Sequence, residues 1–370
     1  KEGNAMKNKN FIPELLPLPS ECYKLENVIT NLMGATTSLT TLNNKLELSK
    51  IKSELIMIPL LNQEAVSSTR IEGTQISIDG MFEAQSSDGE ANKDIQEALN
   101  YINAIEYGRT VVDERQAISK NLIREMHKIL MSNGVRGENK TPGLFKNQEN
   151  FIGSKGSKRE NADYIPPGPE HTEALMDNLL DYLNSNVHDD ILMLKIAIIH
   201  SQFETIHPFL DGNGRIGRVL IPLFLYLKGM TKDPIFFLSK TLEQNQYQYY
   251  QNLNVTRWPR NWEKWINFFL EKAIVQSTEN CEFIDAMSTL YNSDLNLLKS
   301  KHNHHQVEKF LNAIYEAPIF TVKRISEKTG IKYQTCRTYT KTLLEKEVIF
   351  KDSQLRNSKY FHYQVLEAIR

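Results

Sequence analysis

Three cysteines, Cys22, Cys281 and Cys336, are all that 370 residues contain, and they lie far apart. An odd, scattered set gives neither a disulfide framework nor a zinc spacing, and points to reduced thiols and a cytoplasmic protein. A preponderance of one charge is also missing. With 44 Lys and Arg against 45 Asp and Glu, the net charge is −1, which argues against nucleic-acid binding by the whole molecule. No stretch approaches the roughly eighteen uninterrupted apolar residues of a membrane span, and the first residues lack a signal-peptide pattern, so neither a membrane nor export is expected. Lys1 to Ala5, ahead of Met6, are left out of the expected fold. What remains is the composition of an ordinary globular protein, too long for one core, with two or three domains expected.

Chemistry concentrates in His207-Pro208-Phe209-Leu210-Asp211-Gly212-Asn213-Gly214-Arg215-Ile216-Gly217-Arg218. The near-continuous apolar run over 189–206, with acids at its start, predicts a buried helix, and Pro208 stops it at His207. Gly212, Asn213 and Gly214 free the backbone to point N–H groups inward, and Arg215 onward predicts a second buried helix. Its N-terminus is an anion site that Arg215 and Arg218, three apart, both reach. A carboxylate in so positive a place makes sense if Asp211 holds Mg²⁺ on phosphate oxygens. Taken singly, a histidine at a helix end is a cap and Gly-Asn-Gly a turn; their combination at this spacing is a polyphosphate site.

These twelve residues match every defined position of HPFx[D/E]GNGRxxR, and so resemble the Fic family. The resemblance implies a mainly α fold with a helical core and a β-hairpin flap. It also implies transfer of AMP from ATP, with Mg²⁺, to a Ser, Thr or Tyr hydroxyl of a protein. His207 would be the general base, Asp211 the Mg²⁺ ligand, and Gly212, Asn213, Gly214, Arg215, Gly217 and Arg218 the ATP site, with Tyr249 and Tyr250 bordering the adenine. Ser68-Thr69-Arg70-Ile71-Glu72-Gly73 fits the family's inhibitory motif [S/T]xxxE[G/N]. Its Glu72 would pair with Arg218 and deny the γ-phosphate its seat; by pattern alone Glu72 is a helix-end acid stopped by Gly73. Phe151, Ile152, Gly153 and Ser154, with 163–167 opposite, would form the flap that docks the target by strand addition.

Elsewhere the pattern predicts an extended arm over 6–20, helices near 26–33, 46–58 and 60–71, then 94–111 and 119–131. The glycine- and proline-rich 134–169 reads as irregular apart from the hairpin. A tyrosine-rich helix over 239–254 and a tryptophan-rich one from Trp258 close the core. His200 reads as a buried structural histidine, and His302, His304 and His305 as a polar turn. Residues 301–370 carry thirteen basic and seven acidic residues. Their three helices and hairpin resemble a winged helix in which Gln334, Thr335, Arg337 and Lys341 would face DNA, although such modules also dock proteins or a second copy in a homodimer. The expected domains are 6–92 with the inhibitory helix at about 60–72, a catalytic core over 93–278, a helical linker over 279–302 and a winged helix over 303–370. Two other functions fit: a transcription regulator whose core only senses nucleotide, and a Fic enzyme transferring phosphate or a different nucleotide.

Overall fold

Helix punctuation decides where the elements of this chain begin and end. A computed structural model describes residues 10–86, 91–153, 158–302, 306–353 and 358–370. Its contacts divide the chain into two compact units, Lys1–Thr40 with Leu99–Ser277, and Thr41–Ala98 with Thr278–Arg370. Among the described residues no helix is long and apolar enough to cross a membrane.

The helices in chain order are α1 Ile29–Leu48, α2 Glu54–Ile71, α3 Ile78–Ser86, α4 Lys93–Arg115, α5 Lys120–Leu130 and α6 Pro169–Asn184. They continue with α7 Leu192–Ile206, α8 Asn213–Leu227, α9 Ser239–Gln244, α10 Gln246–Arg257 and α11 Trp262–Lys301. In the first unit α7 and α8 form the centre. Every residue from Met193 to Ile206 is buried, and α8 buries Asn213 and all of 215–225. Helix α6 packs on one side of α7 and α10 on another, while Trp265 from α11 ties in by donating Nε1–H to the Ala197 carbonyl at 2.8 Å. The arm before α1 is non-helical over 10–24, as its proline spacing predicts. It is fixed where Asn178 brackets both main-chain groups of Leu16 at 2.8 Å and where Phe11 N–H donates to Ile165 O at 3.0 Å.

In the second unit α2 packs on α12 (Val307–Glu316) and α15 (Tyr363–Ile369), and α3 packs on β1 (Ile319–Phe320). Gln63 donates to the Ile369 carbonyl, Arg324 to the Gln85 carbonyl, and Arg370 meets the Asp79 carboxylate. Helices α13 (Val322–Thr329) and α14 (Tyr333–Glu345) and strands β2 (Phe350–Lys351) and β3 (Tyr360–Phe361) complete it, with antiparallel sheet order β1-β3-β2. Phe361 lies opposite both Ile319 and Phe350. The Thr321 hydroxyl caps α13 by accepting from Arg324 N–H, and Gly330 ends it at φ 68°. Beneath the sheet, Tyr315 and His362 share the buried Asp294 carboxylate at 2.6 and 2.8 Å.

Several elements differ from the sequence pattern. The helices expected over 26–33 and 46–58 are instead α1 and α2, separated at 49–53, where the Ser49 hydroxyl accepts from Ile51 N–H. Pro59 does not begin a helix but sits inside α2; only the donor to Leu55 O is lost, and its ring is buried. The tyrosine-rich helix breaks at Asn245 into α9 and α10. Among the described residues the flap hairpin shows one bridge, Ile152 to Tyr164, with a short helical turn at Arg159–Asn161 between them. Its predicted residue Ser154, like His304 and His305, lies outside the described residues, while His302 bonds the Thr342 hydroxyl.

Candidate active site

Helix α7 ends because His207 takes up the left-handed conformation, φ 49°, ahead of Pro208. Its N–H still bonds Phe203 O at 2.9 Å, and ring Nδ1–H donates to Glu204 O at 3.3 Å. That tautomer leaves Nε2 as the unprotonated nitrogen. Burial, reinforced by the cationic Lys146 and Arg257, pushes the His207 pKa down to about 3, so the imidazole is neutral near pH 7. The side chain keeps 18% exposure, enough for one nitrogen to be approached.

The loop after His207 is locked from two directions. Asn213 Oδ1 accepts from Phe209 N–H while its Nδ2 donates to Phe209 O, both at 2.8 Å. The fully buried Phe209 ring stacks on His127, 3.7 Å between centroids. His127 accepts from Gly143 N–H on Nδ1 at 2.9 Å, which leaves Nε2–H to donate to Asp211 O at 2.9 Å.

Beyond the lock, Gly212 at φ 77° turns the chain into α8, whose first N–H groups face the loop end. Arg215 and Arg218 on its first turns are both buried. Asp211 Oδ1 accepts from Gly212 N–H at 2.6 Å and lies 3.5 Å from Arg215 Nη2. At Gly137, φ 81°, a Cβ would fall 2.6 Å from Asp211 Oδ2, so glycine keeps that oxygen open. A carboxylate whose side chain is 43% exposed beside an anion cradle fits a single protein ligand to Mg²⁺. Among the described residues no group of three or more His, Cys, Asp or Glu could hold a metal by itself.

With helix, loop and cradle in this arrangement, residues 117–225 match the Fic/DOC family and residues 29–110 the Fic/DOC family N-terminal region, together just over half of the chain. The chain belongs to the Fic/DOC family. It is 28% identical over 161 residues to a protein adenylyltransferase Fic of Nematostella vectensis, covering 43% of this chain and 32% of the relative. To a probable protein adenylyltransferase of Aquifex aeolicus it is 27% identical over 179 residues, 46% of this chain and 49% of the relative. The chain thus spans a third to a half of the length of these curated relatives. Its fold is similar to a Fic family protein from Desulfovibrio desulfuricans G20, with TM-score 0.56 and 19% identity over 95% of this chain and 98% of that one.

The Fic signature residues fall into two groups. His207, Asp211, Gly212, Asn213, Arg215 and Arg218 come together around the loop and the start of α8. Gly217 instead faces α7: a Cβ there would collide with Glu204 Oε1, and its carbonyl accepts from His200 Nδ1–H at 3.0 Å. Tyr249 is buried in the aromatic cluster of His200 and Trp265, its hydroxyl 2.8 Å from His200 Nε2, whereas Tyr250 is 41% exposed. In the flap, Phe151 is exposed and Ile152 carries the bridge, with Gly153 following it. Ser68 is buried in α2, and Glu72 is its exposed C-cap, followed by Gly73 at φ 94°. Both lie in the second compact unit.

His127, Glu204, Arg257, Lys146 and Asn150 escape the sequence reading. The one local signal is for His127, which shares the buried face of α5 with Ile123, Met126 and Leu130.

Burial holds the pKa of His127 down to about 4 and those of His200 and His207 to about 3. In an unfolded chain a histidine binds its proton near pH 6.5. Between those values the unfolded state takes up more protons, so stability is full above about pH 6.5 and is lost as pH falls. The expected slope approaches ~1.4 kcal/mol per histidine per pH unit, and urea midpoints measured across that range report it. A midpoint unchanged between about pH 7 and 5 would show that these rings do not resist protonation.

Proposed function

We propose that this chain is a protein adenylyltransferase that moves AMP from ATP to a Ser, Thr or Tyr hydroxyl of a protein, itself included, under restraint by Glu72. The observation that carries the reading is the neutral His207 set one loop away from a helix N-terminus flanked by two buried arginines. Nε2 takes the proton of the target hydroxyl as its oxygen bonds to the α-phosphorus, and the bond from that phosphorus to the β-bridging oxygen breaks. The pyrophosphate leaves with both electrons of that bond, its charge met by the α8 N-terminus, Arg215 and Arg218. Mg²⁺ held by Asp211 would supply charge neutralisation between the phosphates. The extended flap at 151–153 would align the target by main-chain pairing, which tolerates many sequences.

The test is intact-mass spectrometry after incubation with each of the four nucleoside triphosphates and Mg²⁺. One adenylyl unit from ATP is expected, dependent on Asp211; a phosphate unit, a different nucleotide or no adduct overturns the reading. A second role, as a winged-helix regulator contacting DNA or a protein, is favoured by the exposed Gln334, Arg337 and Lys341 along α14. Footprinting on DNA upstream of the chain's own coding sequence separates it from catalysis.

A further inference from the structure

Besides His127, the loop that carries His207 is held from outside by the pentapeptide 146–150. Lys146, 3% exposed, donates from Nζ to Ile206 O at 3.1 Å and from its own N–H to Pro208 O at 2.8 Å. Four residues on, Asn150 Nδ2 donates to Phe209 O at 2.9 Å and, at 3.5 Å, to His207 O. The two side chains brace one another, Lys146 Nζ to Asn150 Oδ1 at 3.1 Å. Four consecutive carbonyls, 206 to 209, thus have donors from residues 146–150, immediately before the flap.

A left-handed non-glycine residue persists only where its surroundings over-determine it, and His207 is such a residue. An ammonium is a costly choice for a buried site if its only task is to fill space, since an apolar chain of similar volume would do that without desolvation. Its three donors suit a place with several carbonyls, and its charge lies close enough to His207 to disfavour imidazolium.

We propose that Lys146 and Asn150 are positioning residues for His207, fixing the loop carbonyls so that the imidazole points its free nitrogen at the reacting hydroxyl. The proposal rests on the adenylyltransferase reading for its catalytic consequence, but its structural half stands apart from it. Burial also draws the Lys146 pKa down to about 7, against the pull of Glu170 and Glu149. The amine therefore gives up one donor near neutrality, and an arginine there would not.

Three variants and two readouts decide the matter. Lys146→Met keeps volume while removing donors and charge; Asn150→Ala removes only the amide. Each is expected to lower the self-labelling turnover by about 10–100-fold with the KM for ATP unchanged, as for a misplaced catalytic group. Lys146→Arg should restore most of the Lys146→Met loss. Independently of activity, imidazole NMR should show His207 protonating about one pH unit higher in Lys146→Met than in the parent chain. Variants with parental turnover and a parental His207 titration overturn the proposal. If the parent chain labels with no nucleotide, the adenylyltransferase reading falls alone, and the titration still decides whether Lys146 sets His207. Because Lys146→Met could unfold the chain, Asn150→Ala, half-buried and uncharged, tests the clamp independently from its other end.

Discussion

Replacing His207 by alanine will lower adenylyl transfer by about 10²–10⁴-fold while ATP binding stays within a few-fold of the parent. The groups that would hold the triphosphate are the main chain at Gly212 and Asn213 and the guanidiniums of Arg215 and Arg218. None of these depends on the imidazole. The ring is instead the neutral acceptor next to the cradle, with Nδ1 committed to Glu204 O and Nε2 left to take a proton. Loop geometry survives the change because the Asn213 bracket on Phe209 and the His127 bond to Asp211 O do not involve the ring. Titration calorimetry with ATP, paired with labelling rates, checks both halves. Labelling at a near-parental rate would remove His207 from the chemistry, and lost ATP affinity would make it part of the binding site.

The second large effect is expected at Glu72. Replacing it with glycine removes a negative charge that, on the proposed reading, competes with the γ-phosphate for Arg218. Glu72 is exposed at the end of α2, so water screens whatever it pairs with, and an isolated surface pair is worth only ~0.2–1 kcal/mol. That corresponds to a rise in self-labelling of up to about fivefold. The change is mild for the fold, because Glu72 has φ −87° and an acid at a helix C-terminus is itself unfavourable. Adding Arg218→Ala should erase the gain, since the released guanidinium is its source. Equal labelling by the parent and Glu72→Gly chains would make Glu72 an ordinary helix-end acid.

What could be read in advance was what is encoded locally. In 207–218 one stretch writes a helix stop, a left-handed turn and a helix start, so spacing alone fixes the relation of His207, Asp211 and Arg215. His200 was legible as structural for a similar reason, lying two turns before His207 at the end of a nearly continuous apolar run. The residues that hold the loop were not legible, because each is a lone polar side chain whose partner is distant in sequence. Lys146 finds its partner 60 residues on, and His127 finds Asp211 84 residues on. Tyr249 is a further case, its hydroxyl having His200, 49 residues away, as partner. Strands of two residues, such as β1, carry no readable alternation, and so the packing of α3 on β1 left no trace in the pattern.

The attachment of α2 and α3 to the C-terminal elements bears on the order in which the protein is made. The unit that carries His207 is fully synthesised once Ser277 is joined to the chain. Helix α2, with Glu72 at its end, emerges from the ribosome long before that, yet its packing partners α12 and α15, and the Gln63 and Asp79 partners Ile369 and Arg370, come later. Domains fold as units as they are synthesised. On the proposed reading each new molecule therefore passes through an interval in which its catalytic unit can close while the helix that restrains it has not yet found its own support.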